Sequence, residues 1–161
     1  MLGLPYPNTD LPILFLHTKG REILTRTRSW TNDLHNETAI RLRRFIMAKI
    51  PNADVTILFY YSAAVKSIEQ QDPTAAVYSI NCYQGGECDF CIIVTTCVAS
   101  NSESKNFNFV LDPQRTKVAL SRAKEGVVII GDRDVLFQSE VWGSFINKYS
   151  EASGKSSLFY G

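Results

Sequence analysis

The sequence predicts an α/β sandwich built on a mostly parallel sheet, and two observations carry that prediction. Short β-branched runs are apolar almost continuously instead of alternating, and helical patterns fall between several of them. Continuous apolarity suits strands covered on both faces, and strands alternating with helices supply that cover through the crossovers.

The runs at 13–17, 55–60, 76–80, 91–96 and 127–131 read as strands. The first helix is expected over 36–50. Ile40, Leu42, Phe45, Ile46 and Ile50 fall on one side of it, and Arg41, Arg43, Arg44 and Lys49 supply much of the rest. A second helix is expected over 63–71. A third spans 113–124, with a proline near its start, Asp112 as N-cap and Gly126 just past its end. A last amphipathic helix is expected over 140–149, and residues 100–108 form a polar loop. Ligands of such sheets sit outside the carboxyl ends of the strands.

With 161 residues and 45% hydrophobic content, the chain suits one packed domain over 1–150, followed by a Ser-, Gly- and Lys-rich tail over 151–161 that is expected to be flexible. Seventeen basic residues meet sixteen acidic ones, a net charge of +1, so any basic patch for nucleic acid must be local. Residues 1–12 contain three prolines and no basic segment of the secretory type. No apolar run approaches the roughly 20 residues of a membrane span. The expectation is a soluble intracellular protein, cytoplasmic or nuclear, with no membrane partner. Cys82, Cys88, Cys91 and Cys97 include one Cys-x-x-Cys pair, but the five-residue gaps on either side are not a usual zinc spacing. If 91–99 is a buried strand, Cys91 and Cys97 share a face and Cys88 lies in the preceding turn. Reduced core thiols, and no metal site, are the expectation.

Two stretches carry chemistry. In 77–89, a strand runs into Gln84-Gly85-Gly86-Glu87 before the next strand. Adjacent glycines let the backbone approach a bulky ligand with N–H groups directed at it, and a carboxylate beside them can accept from a ribose hydroxyl. Taken alone, Gly-Gly-Glu also occurs in plain loops. In 118–131, a helix runs directly into a strand, with Arg122 near the helix end. One reading makes Arg122 a surface cation paired with Glu125 or Asp132. The other makes it an arginine finger, neutralising charge on a transferred phosphoryl group.

Together and in this order, Ser-Ile-x-x-Tyr-Gln-Gly-x-Glu-x-Asp and Val-Ala-Leu-Ser-Arg-Ala-Lys resemble motifs V and VI of superfamily 1 helicases. The chain is most similar to the branch that holds the nonsense-mediated-decay and senataxin-type helicases. The resemblance runs from about Phe15 to about Asp132. It implies a RecA-like three-layer sandwich, the second of two such motor domains, acting on ATP with Mg2+ and on single-stranded RNA or DNA. It places Gly85, Gly86 and Glu87 at the nucleotide, with Glu87 on the ribose, and Gln84 between nucleotide and nucleic acid. Arg122 becomes the motif VI arginine that reaches the γ-phosphate across an interdomain cleft. Ser79 becomes a contact to the nucleic-acid backbone. Tyr61 keeps the aromatic position of motif IV, on the nucleotide side, and Ser62 beside it faces nucleic acid.

Several positions depart from the family pattern. The proline and glutamine positions of motif IV hold Tyr60 and Ala64, Lys66 is the closest candidate for a basic residue nearby, and Lys117 precedes motif VI where asparagine is usual. Upstream, Glu37 stands near the acidic position of the first helix, with the expected asparagine out of register. The chain contains no Gly-x-x-x-x-Gly-Lys-Ser/Thr and no Asp-Glu pair after a strand, so the phosphate cradle and magnesium ligands are expected on a preceding RecA-like domain. The first expectation is therefore half of an ATPase site, inactive in isolation. The alternatives are a helicase-like domain kept as a nucleic-acid or protein scaffold without turnover, and an unrelated nucleotide-binding α/β domain if both motif matches are accidental.

Overall fold

The structure is a computed structural model that describes residues 13–80, 86–98 and 121–138, with positions 112, 114, 119, 140 and 142. In chain order the elements are β1 (Ile13–His17), β2 (Glu22–Leu24), β3 (Trp30–Asn32), α1 (Asp33–Lys49), β4 (Val55–Phe59), α2 (Ser62–Gln71), β5 (Ala76–Ser79), β6 (Cys88–Val94), β7 (Ala123–Gly131) and α3 (Arg133–Leu136). Five strands form one sheet in the order β1-β7-β6-β4-β5, and every neighbouring pair is parallel. The expected RecA-like sandwich is the observed architecture. β2 and β3 form a separate antiparallel ribbon that the sequence pattern did not suggest.

The apolar stretches of the central strands are buried on both faces. One face packs Leu14, Leu16, Ile57, Phe59, Ile92, Val94, Val128 and Ile130 against Ala39, Leu42 and Ile46 of α1 and Ala64 and Ile68 of α2. The other packs Phe15, Leu58, Cys91, Ile93, Val127 and Ile129 against Ala119, Val135, Leu136 and Trp142. Helices thus lie on both sides. The chain passes from β4 through α2 to β5 in one direction and from β6 to β7 in the other, so β4 and β6 flank the point where the winding reverses.

Several element boundaries differ from the sequence expectation, each for a physical reason. α1 begins at Asp33, earlier than expected, because Asn32 caps it by accepting from the His35 N–H at 3.2 Å. β6 begins at Cys88, which is therefore a strand residue and not a turn residue. There the N–H groups of Asp89 and Phe90 both donate to the Asp54 carbonyl at 3.0 Å, a bulge that turns Cys88 and Phe90 to opposite faces. The helix expected over 113–124 cannot extend that far. Positions 114 and 119 are helical, but Ala123 and Lys124 already belong to β7, with Ala123 opposite Cys88. Sheet pairing overrides local helix preference here. Of the helix expected over 140–149, Glu140 and Trp142 are helical, and Trp142 is fully buried. The polar loop over 100–108 and the segments 1–12 and 151–161 lie outside the described residues.

At the end of β7 the backbone passes close to its neighbours. A Cβ on Gly131 would lie 2.5 Å from Thr95 Oγ1 and 2.9 Å from Leu136 Cδ1. Gly131→Ala should cost about 1–3 kcal/mol through overpacking, read as a lower denaturant midpoint with an unchanged slope.

Candidate functional site

The residues singled out by sequence separate onto the two edges of the sheet, about five residues or ~16 Å of strand apart. Gly86 and Glu87 lie immediately before β6, and Arg122 lies immediately before β7, its pairing partner. The Cys88 N–H donates to the Arg122 carbonyl at 3.0 Å, which ties the two segments together at the amino edge. Glu87 is exposed and meets Lys124 at 3.7 Å, an exposed pair too weak to lock either side chain. Arg122 is half-buried, and its Nε is buried without a hydrogen-bond partner. Neither Glu125 nor Asp132 pairs with it: the Asp132 carboxylate caps α3 and lies 3.7 Å from Lys19. The surface-pair reading of Arg122 therefore fails among the described residues. Gln84 and Gly85 lie outside the described residues, as does Cys82.

Tyr61, Ser62 and Ser79 lie at the carboxyl edge, beyond β4 and at the end of β5. The structure does not bring Tyr61 together with Glu87 and Arg122. It puts Tyr61 where the winding reverses, its hydroxyl 3.4 Å from Cys97 Sγ beyond β6. Burial first, then Cys97, pushes that hydroxyl above the usual tyrosine range. Tyr61 occupies the N-cap position of α2 but cannot cap it. Ser29, at the end of the ribbon turn, accepts the Ala63 N–H at 3.1 Å and lies 3.5 Å from the Ser62 hydroxyl.

The same edge carries a polar network that the sequence did not announce. His35 is fully buried; its Nε2 donates to the Thr18 carbonyl at 2.7 Å, and its Nδ1 accepts the Thr96 N–H at 3.2 Å. Those partners fix the Nε2–H tautomer, because a carbonyl can only accept and an N–H can only donate. Asn32 adds bonds to the carbonyls of Lys19 (2.8 Å) and Thr96 (3.1 Å). Held between them, Thr96 takes φ 72°, a left-handed conformation that is costly for a β-branched residue. Beyond β7, Lys19 pairs with Asp134 at 2.9 Å, which holds that carboxyl below its ordinary range.

Cys88, Cys91 and Cys97 are buried thiols that form no disulfide. The hydrogen bond with Cys88, and then burial, raise the Cys91 thiol well above its ordinary range. Among the described residues no group of three or more His, Cys, Asp or Glu is arranged to hold a metal ion. No helix among them is long and apolar enough to cross a membrane.

A doubly wound five-stranded parallel sheet with helices on both faces defines an α/β domain of the RecA-like type. The chain belongs to the AAA domain family, matched over residues 4–134, within the superfamily 1 helicase branch of nonsense-mediated decay. It is 31% identical to a Drosophila melanogaster protein described as a regulator of nonsense transcripts 1 homolog, covering 93% of this chain and 14% of that protein. Against an ATP-dependent helicase upf1 of Schizosaccharomyces pombe it is 31% identical over 90% of this chain and 17% of the relative. Against the ATP-dependent helicase NAM7 of Saccharomyces cerevisiae it is 36% identical over 91% of this chain and 16% of the relative. The chain spans only about a seventh of the length of the first relatives it matches.

The environment of His35 has a pH signature. Burial, as the largest cause, pushes its pKa down to about 4 from 6.5. A second proton on Nδ1 would also face the Thr96 N–H. The stability from neutral His35 is complete above pH 6.5 and is lost as pH falls towards 4, because the unfolded chain binds the proton first. The loss is on the order of 3 kcal/mol from this group. Equilibrium unfolding at stepped pH should show that slope, and His35→Gln, which keeps a donor and an acceptor, should flatten it.

Proposed function

We propose that this chain is the second motor half of an ATP-dependent RNA or DNA helicase. It supplies the arginine finger and the ribose-side contact to an ATP site that a preceding RecA-like domain completes. The convergence of Gly86, Glu87 and an unpaired Arg122 on adjacent strand starts carries this reading. Arg122 has the fixed guanidinium geometry that suits charge developing on a transferred phosphoryl group. Glu87, whose one ion-pair partner among the described residues is an exposed lysine, can accept from a ribose hydroxyl. Gly86, preceded in sequence by Gly85 and Gln84, lets a bulky nucleotide approach the backbone. ATP enters with Mg2+, and the phosphate cradle and metal ligands are assigned to the partner domain. Ser62 and Ser79 at the opposite edge contact single-stranded nucleic acid, and Tyr61 beside them closes the crevice where the winding reverses. The compartment in this reading is intracellular, cytoplasmic or nuclear.

One observation favours a second reading, a scaffold without turnover. Tyr60 and Ala64, which replace the family's motif IV proline and glutamine, are 2% and 0% exposed, so neither offers a group to a ligand. The measurement that separates the readings is ATP hydrolysis by the intact protein with and without single-stranded RNA. The motor reading expects RNA-stimulated turnover that Arg122→Ala lowers roughly 10³-fold or more. It also expects no turnover by the 161-residue chain alone. A robust rate unchanged by Arg122→Ala would remove the arginine-finger role.

A further inference from the structure

The chain turns sharply just beyond β6, in a conformation that its own residues disfavour. The Cys97 N–H donates to the Thr95 carbonyl at 2.8 Å, so Thr95–Cys97 is a γ-turn with Thr96 at its centre, at φ 72°. The positive-φ form is the rare and strained γ-turn, and a β-branched residue suits it poorly. Thr96 is also fully buried, and its hydroxyl oxygen has no hydrogen-bond partner among the described residues. Glycine would carry neither cost. Strain of this kind persists only where the surroundings over-determine it.

The turn is fastened at each residue and just beyond it. The Thr95 N–H and hydroxyl both donate to the Ile130 carbonyl at 3.1 Å, at the end of β7. The Thr96 N–H and carbonyl are taken by His35 and Asn32. The Val98 N–H donates to the Glu22 carboxylate at 2.6 Å, on the ribbon. What the fastening places is one side chain. Cys97 is 2% exposed, and its Sγ lies 3.4 Å from the Tyr61 hydroxyl. An extended chain would carry position 97 about 10 Å past Val94. The γ-turn folds it back instead, to the residue between β4 and α2.

Tyr61 needs such a hold. It stands at the N-cap position of α2 with extended backbone, and its side chain makes no capping bond, so the helix does not orient it. Its ring packs against the apolar cluster that contains Leu58 and Ile93. Apolar packing holds a ring by its faces, whereas a polar partner decides where its hydroxyl points. A thiol can donate or accept, weakly in either sense, and so can meet that hydroxyl.

We infer that Cys97 is a positioning residue for Tyr61, and that the strained turn at Thr96 is retained because it holds the Cys97 thiol against the Tyr61 hydroxyl. Cys97, almost wholly buried, acts through Tyr61. The inference rests on the proposed function in one respect, that Tyr61 closes a crevice a ligand enters, and it deepens that reading by naming what sets the tyrosine.

The intact protein is assayed as wild type, Tyr61→Phe, Cys97→Ala, the double variant and Cys97→Ser, with thermal midpoints as the check on folding. Two constants are read: the KM for ATP in RNA-stimulated hydrolysis, and the affinity for a labelled single-stranded oligouridylate. Tyr61→Phe should weaken one of them roughly 3- to 10-fold, for one lost hydrogen bond at a buried group. Cys97→Ala should weaken the same constant by a similar factor, with kcat little changed. The double variant should be no worse than either single one, and Cys97→Ser, which restores a hydroxyl partner, should recover most of the loss. Cys91→Ala removes a thiol from the same apolar cluster; it should lower the thermal midpoint and leave both constants unchanged. Additive losses, a Cys97→Ala protein equal to wild type, or a Tyr61→Phe protein with both constants intact would each overturn the inference. So would an equal loss in Cys91→Ala, the mark of a purely structural effect. An intact protein that hydrolyses no ATP would sink the motor reading, and equilibrium binding of ATP and of the oligouridylate then reads the same comparison.

Discussion

His35 is the junction on which the carboxyl edge depends. A fully buried imidazole is tolerable only when both ring nitrogens find partners of the right kind, and here the backbone provides one of each. Thr18 follows β1, Thr96 follows β6, and His35 itself lies in the first turn of α1. One side chain therefore fixes the distance between two strand ends and a helix start. Asn32 caps that helix and bonds to the carbonyls of Lys19 and Thr96, so the same two loops are held twice. With them held, the β2–β3 ribbon has a fixed base, and its turn can deliver Ser29 to α2. The strained backbone at Thr96 is a consequence of this fastening, since both its N–H and its carbonyl are committed.

The sheet topology sets two different demands on its two edges. In doubly wound sheets the crevice forms at the carboxyl ends, where the winding reverses, and Tyr61 and Cys97 meet there. Of the nucleotide-side residues implied by the helicase resemblance, Gly86, Glu87 and Arg122 lie instead at the amino ends of β6 and β7, while Tyr61 lies at this crevice. These placements are compatible if the domain serves two ligands. In the proposed function the segment before β6 and Arg122 before β7 would serve the nucleotide at one edge, while Ser62 and Ser79 would serve nucleic acid at the other. β6 contributes to both, its start beside Glu87 and its end beside Thr96. A single continuous strand joining two ligand surfaces is a direct physical route for coupling them. Among the described residues, its packed apolar side chains leave little slack along that route.

The sequence made the sheet legible because burial on both faces leaves no alternation to confuse, and four of the five strands were read within a few residues. It misplaced the starts of β6 and β7. The polar segment Lys124–Glu125 does not look like a strand, and only pairing with β6 makes it one. The ribbon was invisible for a related reason: Glu22–Leu24 and Trp30–Asn32 are three residues each, too short to show a period. Gly86, Glu87 and Arg122 stand out in the sequence through their order in the chain, and the fold sets them at the starts of two paired strands. The His35 junction was not, since its meaning lies entirely in partners 17 and 61 residues away in sequence. Tyr61 was legible as an aromatic position but not as a residue of the opposite edge.

Two arginines show how the fold distinguishes support from readiness. Arg43 is buried and its charge is paired: Nη1 donates to Asp72 at 2.8 Å and Nη2 to the Thr74 carbonyl at 3.4 Å, although its Nε, like that of Arg122, is buried without a hydrogen-bond partner. That pair joins α1 to the turn before β5, and removing either partner would strand a buried charge. Arg122 is half-buried with no such partner, although carboxylates lie nearby in sequence at Glu125 and Asp132. Desolvating a guanidinium without pairing it is unfavourable, and a domain selected for stability alone would tend to pair it or expose it. The backbone anchor at its carbonyl keeps the residue in place while leaving its charge unspent.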